Sequence, residues 1–354
     1  MRKKYSALLL TILLLTTTAC SNKDNNSDST STSDKVTSSI TESDSSSETA
    51  TAPKIHLSGN PNDTFVAQSD CYVESDKVIL FIQKGVTVKG DAIRITEKVM
   101  NDLTSSSGMT FDKNYTPEST LSDWQERYFD KNSFTNINSN MDKINVLIVN
   151  LENDEIQWAT DNIAALDQKD FDYNNTYYTT IYHELSHVLQ FRNGVSLGSV
   201  MNEGFATYLA DTAGRMAKYP IWDSVQFYYP ANFDSSIITS GEKSFKYMYD
   251  DRDNNYNYGI RFITFLNDTY GKDLFKNILS EATKQGFSSG WGSDNEEADK
   301  KNNTESLIKI IKSQTSNDVF DKFAKWYEKN WSIKGKEYVA YMKSIGQDIP
   351  DYGN

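Results

Sequence analysis

His183 and His187 stand four positions apart with Glu184 between them, in the run His183-Glu184-Leu185-Ser186-His187. On a helix, residues at that spacing lie on one face, one turn apart. Two imidazoles so placed can share one metal ion, and Glu184 projects beside them, within reach of a water that the ion acidifies. Zinc suits such a set, because it binds imidazole well and its catalytic sites keep three protein ligands and one open position. Histidine is scarce here, three in 354 residues, so two at this spacing do not follow from abundance.

A third ligand must come from elsewhere. No histidine follows His187, and His56 lies far upstream, beside a Ser/Thr-rich stretch. Glu203 is the natural carboxylate. It stands 16 positions after His187, near the start of the next predicted helix, in the run Asn202-Glu203-Gly204-Phe205-Ala206. Gly204 has no side chain, so another element can approach closely and the carboxylate stays uncrowded. The competing role for Glu203 is that of a first-turn acid complementing the helix dipole. A metal-bound imidazole usually donates its second ring hydrogen to an acceptor. Asp211 and Thr207, further along the same helix, are candidates for that acceptor, against the default of polar residues on a solvent face.

With HELSH followed by NEGFA, the chain resembles the gluzincin metallopeptidases, in particular their aminopeptidase N-like, or peptidase MA-like, branch. The resemblance implies a zincin-like fold, one zinc ion held by His183, His187 and Glu203, and Glu184 as general base. It extends to Tyr256-Asn257-Tyr258-Gly259, ahead of a helix ending near Gly271, where the family has Tyr-x-x-Gly. It implies that the Tyr256 hydroxyl stabilises the oxyanion formed when water attacks a peptide carbonyl, with Tyr258 a close rival. The motifs span roughly residues 140–271. No Gly-Ala-Met-Glu-Asn run precedes His183; the equivalent stretch reads IQWATDNIAAL. In the aminopeptidases the Glu of that run holds the free amino terminus of the substrate, so its absence favours an endopeptidase.

The elements that must position these residues are legible from patterning. Residues 78–83 (VILFIQ) and 144–151 (INVLIVNL) read as buried strands, short, apolar and rich in β-branched residues. Between them, 91–104 reads as an amphipathic helix with Ala92, Ile95, Val99 and Leu103 near one face. Asn175 or Thr176 can cap a helix running to Asn193, with Gly194 as its C-terminal stop. A second helix is expected from after Ser199 to about Lys218, and others over 257–269, 304–312 and 318–331. Strands followed by a run of helices give an α+β fold. The expected arrangement is a small mixed β-sheet with helices in an N-terminal lobe (about 54–194), a mainly helical C-terminal lobe (about 195–354) and an active-site cleft between them. Asp250, Asp251 and Asp253 match no calcium loop, and 294–300 reads as a solvated surface.

The chain begins with Arg2, Lys3 and Lys4, then an apolar run from Ala7 to Leu15, then Ala19 and Cys20. The run is too short to span a bilayer, which needs about 20 residues, but it suits the core of a signal peptide. A small residue before a cysteine resembles a bacterial lipobox. This implies cleavage after residue 19, lipid on Cys20, and a membrane-anchored, extracytoplasmic protein. Residues 21–52 contain 17 Ser or Thr out of 32, too little apolar surface to offset the entropy of ordering. They read as a tether with a reach of roughly 30 Å. Cys71 is then left without an internal partner and reads as a small buried hydrophobe.

The formal charge of −13 excludes nucleic acid as a partner on electrostatic grounds, since phosphate binding needs clustered Lys and Arg. Contact with a membrane is expected through the N-terminal lipid only. The expected partner is a peptide or protein substrate, and the expected state a monomer. Two other readings remain open: a catalytically silent substrate-binding or adhesin-like lipoprotein on a peptidase fold, and a peptidase specialised for glycosylated proteins, with Trp222, Tyr228 and Tyr229 as sugar-facing aromatics.

Overall fold

The computed structural model describes residues 54–56, 69–83, 86, 92–112, 143–151, 157–160, 163–171, 178–230, 233–248, 255–288 and 296–349. The leader, Cys20, the Ser/Thr-rich stretch and Asp250, Asp251 and Asp253 lie outside them.

The N-terminal part is built on one mixed sheet. Its strands are β1 (Lys54–His56), β2 (Ser69–Glu74), β3 (Val78–Gln83), β4 (Ile144–Val149), β5 (Trp158–Ala159) and β6 (Ile163–Asp167). The spatial order is β1-β2-β3-β4-β6-β5. β3, β4 and β6 are parallel at the centre, while β1, β2 and β5 run antiparallel to their neighbours. All six residues of β4 are buried, which explains its continuous apolar run: a central parallel strand is covered on both faces. Helix α1 (Ala92–Ser107) makes the crossover from β3 to β4, as a parallel pair requires.

From residue 178 onward the described residues are helical with short connections. Two long helices come first, α2 (Tyr178–Asn193) and α3 (Ser199–Met216). After a 3-10 turn at Trp222–Ser224 come three short helices, α4 (Val225–Tyr228), α5 (Ser236–Thr239) and α6 (Glu242–Met248). The chain then forms α7 (Asn255–Tyr270), α8 (Leu274–Lys284), α9 (Glu296–Gln314) and α10 (Val319–Ser344). The fold is α+β. One apolar core runs from Val78 on the sheet through Leu185, Leu209 and Phe262 to Phe323, so sheet and helices share their main packing.

Several local expectations change. Gly194 stands just past the end of α2, as expected, but its backbone is not left-handed, and a Cβ there would lie 2.3 Å from Thr283 Oγ1 and 2.8 Å from Leu279 Cγ. The glycine is needed because α8 packs against it. The left-handed residue is Gly198, φ 86°, which precedes α3. Residues 296–300, read as loose surface, open α9. The last helix runs on past residue 331 to Ser344, because Gly335 sits inside it against the Tyr229 ring rather than ending it.

Candidate metal centre

Helix α2 presents His183 half-buried, with Glu184 and His187 buried. The preceding residue anchors it: the Tyr182 hydroxyl donates to Asp102 Oδ2 on α1 at 2.5 Å, and Ser186 Oγ donates to the Tyr182 carbonyl. Helix α3 brings Glu203 to the same place from its first two turns. His183 Nε2 lies 3.2 Å from Glu203 Oε2, His187 Nε2 lies 3.2 Å from the same oxygen, and the two Nε2 atoms are 3.2 Å apart.

These distances form an equilateral triangle, and among the described residues the three make a group that could hold a metal ion. Atoms about 2.0–2.1 Å from a tetrahedral zinc stand roughly 3.3 Å from one another, so the donor set has the dimensions zinc needs. Burial works to raise the Glu203 carboxyl, but His187 and then His183 outweigh it and hold it well below the usual carboxylate range. That direction suits a metal ligand, which binds as the carboxylate.

Glu184 differs. It has 7% exposure, and burial, aided by repulsion from Glu203 and Asp170 and opposed by His183, pushes its carboxyl up to about 7. A carboxyl in that range can both take and return a proton near neutrality. Asp170, in the 3-10 turn after β6, is also buried and pushed up to about 7, chiefly by burial. Asp223, raised by burial, feels the charge of His183 from the opposite part of the chain.

Two features of the NEGFA run place Glu203. Asn202 Oδ1 accepts from the Leu197 backbone at 3.0 Å and from Gln190 Nε2 of α2, and its amide donates to Ser196 Oγ at 2.8 Å. One side chain thus pins the start of α3 to the loop before it and to the helix that carries the histidines. Sequence reasoning passed over Asn202 and Gln190, although Asn202 directly precedes the proposed ligand. The second feature is Gly204. A Cβ there would lie 2.5 Å from the Gly259 carbonyl carbon, and one on Gly259 would lie 2.4 Å from the Val200 carbonyl oxygen. The two glycines face each other, so α3 and α7 touch backbone to backbone.

That contact carries the start of α7 to the site. The Tyr256 ring lies 5.9 Å from the His183 ring, nearly parallel at 26°, with 37% of the residue exposed. Tyr258 is fully buried among Phe245, Phe262 and Phe323, and its hydroxyl has no hydrogen-bond partner among the described residues. Of the two tyrosines, Tyr256 is the one beside the histidines. On the other side of the pair, Phe191 stacks on His187 at 5.8 Å and 10°.

Among the described residues neither expected acceptor hydrogen-bonds His187 Nδ1. Asp211 is taken up by Arg215, whose Nε donates at 2.9 Å, and by the Tyr228 hydroxyl at 3.0 Å. It sits two turns beyond Glu203 on α3, too far along the helix to meet the histidines. Thr207 Oγ1 and His187 Nδ1 are both buried with no hydrogen-bond partner among the described residues. Nor is Tyr228 a surface aromatic: it stacks between Trp331 and Tyr338 in a second apolar cluster.

No protein-family model and no curated protein matches the sequence. Among solved structures, the chain is similar to the ZmpB metallopeptidase from Clostridium perfringens, at 13% identity and TM-score 0.39, over 79% of this chain and 50% of that one. It is also similar to a conserved protein of unknown function from Bacillus anthracis str. Ames, at 10% identity and TM-score 0.38, over 74% of this chain and 50% of that one. A mutant of a conserved protein of unknown function from the same source gives 10% identity and TM-score 0.37, over 78% and 52%. The chain thus spans about half the length of the solved structures it matches, and likeness of this degree carries no inference about activity.

Proposed function

We propose that the protein is a zinc-dependent peptidase that cleaves peptide bonds within a chain. The observation that carries this reading is the triangle of His183 Nε2, His187 Nε2 and Glu203 Oε2, each pair 3.2 Å apart, with a buried and proton-competent carboxyl at Glu184 beside it. Zinc bound there would polarise the scissile carbonyl and lower the pKa of a water toward neutrality. His183, His187 and Glu203 would hold the ion. Glu184 takes the proton of the attacking water and delivers it to the leaving amine, a two-way transfer that suits a carboxyl raised to about 7. The Tyr256 hydroxyl donates to the carbonyl oxygen as negative charge builds there.

The preference for internal bonds rests on the stretch 156–166, which holds no glutamate to capture a free amino terminus. The substrate enters between the sheet-bearing and helical parts of the chain. The enzyme works outside the cytoplasm as a monomer, tethered by lipid on Cys20 through residues 21–52.

The test is a digest. The zinc-loaded protein is incubated with a mixed peptide library and the products are read by mass spectrometry, with Glu184→Gln as the control that keeps the ligands and removes the base. Internal cleavage by the parent and none by the variant is the expected result. Release of single N-terminal residues would overturn the endopeptidase assignment. Full zinc occupancy with no cleavage of any peptide would replace the reading with that of a binding protein.

A further inference from the structure

Arg261 is fully buried on α7, and nothing in the chemistry above uses it. Burial pushes its guanidinium down to about 10. A methionine or leucine would fill the space without that desolvation cost. The contacts of Arg261 show what the charge is used for. Its Nη1 donates to the backbone carbonyl of Asn257 and, at 3.1 Å, to the Asn257 side-chain oxygen. Its Nη2 donates at 2.7 Å to the Phe227 carbonyl on α4. Its carbon lies 4.2 Å from the centre of the Phe233 ring and 4.6 Å from that of Trp331, so aromatic faces supply part of the stabilisation.

Asn257 is the neighbour of Tyr256. Both lie in the first turn of α7, where backbone N–H groups lack intrahelical acceptors and the chain frays most easily. We propose that Arg261 is a positioning residue for Tyr256: by clamping Asn257 to the Phe227 carbonyl it holds the first turn of α7 and so keeps the Tyr256 ring stacked beside His183. Lysine cannot replace it, because the clamp uses two nitrogens of one rigid fork on acceptors from two elements. The inference rests on the peptidase reading in one respect, that the Tyr256 hydroxyl acts on the substrate. A misplacement of about 1 Å in such a donor costs up to roughly 10²-fold in rate.

The test is a double-mutant cycle on the zinc-loaded full chain with Arg261→Lys, Tyr256→Phe and the pair, together with amide hydrogen exchange of the same proteins. Arg261→Lys should lower kcat about tenfold or more with KM near the parent's. In the Tyr256→Phe background the same change should lower kcat less than about twofold. Exchange should quicken at residues 259–262, whose amides donate to the carbonyls of the first turn, in Arg261→Lys and stay unchanged over α2. A loss that persists in full in the Tyr256→Phe background, or unchanged exchange at 259–262, would overturn the inference. If Tyr256→Phe matches the parent, or the parent cleaves nothing, it is the assigned role of Tyr256 or the peptidase reading that falls. Exchange then decides by itself whether Arg261 holds the turn. Asn257→Ala, which removes one acceptor at a half-exposed position, carries the same cycle should Arg261→Lys fail to fold.

Discussion

Helix α3 carries two polar clusters two turns apart, and they are built on opposite principles. At Asp211 every charge has its complement. Both carboxylate oxygens accept from Arg215, one of them also from Tyr228, and the guanidinium lies over the rings of Tyr228, Tyr338 and Tyr341. At Glu203 one carboxylate oxygen and two imidazole nitrogens converge at 3.2 Å, with no lysine or arginine paired to Glu203 among the described residues. The first arrangement is complete in itself and ties α3 to α4. The second brings three lone-pair donors to one point and becomes favourable when a cation joins them. A closed network reads as structure and an open, convergent one as a binding site, although both use an acid on the same helix.

The contrast is broken most directly at the metal. In His187→Ala zinc should no longer be retained at one ion per chain, by elemental analysis, and the stabilisation by added zinc should disappear. For the parent that stabilisation is about 4 kcal/mol at free zinc a thousandfold above Kd. Asp211→Ala should do the reverse. It should lose about 1–3 kcal/mol in denaturant unfolding, because a half-buried guanidinium loses its carboxylate partner, and keep its zinc. Equal zinc loss in both variants would mean that the two clusters are one unit.

Asp170 sharpens the comparison, because it is a buried carboxyl beside the open cluster and lacks a full set of partners. Its value is raised from 3.8 to about 7, so the folded state binds its proton more tightly than the unfolded state does. The cost to stability is absent below about pH 4, grows as pH rises, and is complete above pH 7. Asp170→Asn should therefore stabilise the protein by about 2–3 kcal/mol at pH 8, and the gain should shrink to nothing near pH 4. Thermal melts across that range measure it, and a gain independent of pH would contradict the assignment. The smallest effect is expected at the helix contact. Gly259→Ala forces a Cβ to 2.4 Å from the Val200 carbonyl oxygen and should cost about 1–3 kcal/mol. It should also lower kcat by moving the start of α7, while leaving zinc occupancy intact.

Much of the frame was legible in the chain. β3 and β4 announce themselves as apolar runs because central parallel strands are buried on both faces, and α1, α2, α3 and α7 fall within a few residues of their expected limits. β2, with the sequence SDCYVE, was not legible. Its polar alternation is that of a strand outside the buried centre, and it resembles a loop. The helix expected over 318–331 runs on to Ser344 as α10, with Gly335 inside it against the Tyr229 ring.

What the sequence alone determined is local. Four-residue spacing puts His183 and His187 on one face of a helix whatever surrounds it, since 3.6 residues per turn is a property of the backbone. Glycines at 204 and 259 mark positions where a side chain is not wanted. The tertiary structure decided which partners meet across helices. It brought Glu203 to the histidines, put Tyr256 beside them while burying Tyr258 in the aromatic core, and assigned Asp211 to Arg215. Those choices depend on the angle and closeness at which α2, α3 and α7 pack. That packing is set by the sum of many side-chain contacts and two facing glycines, so no short run of residues carries it.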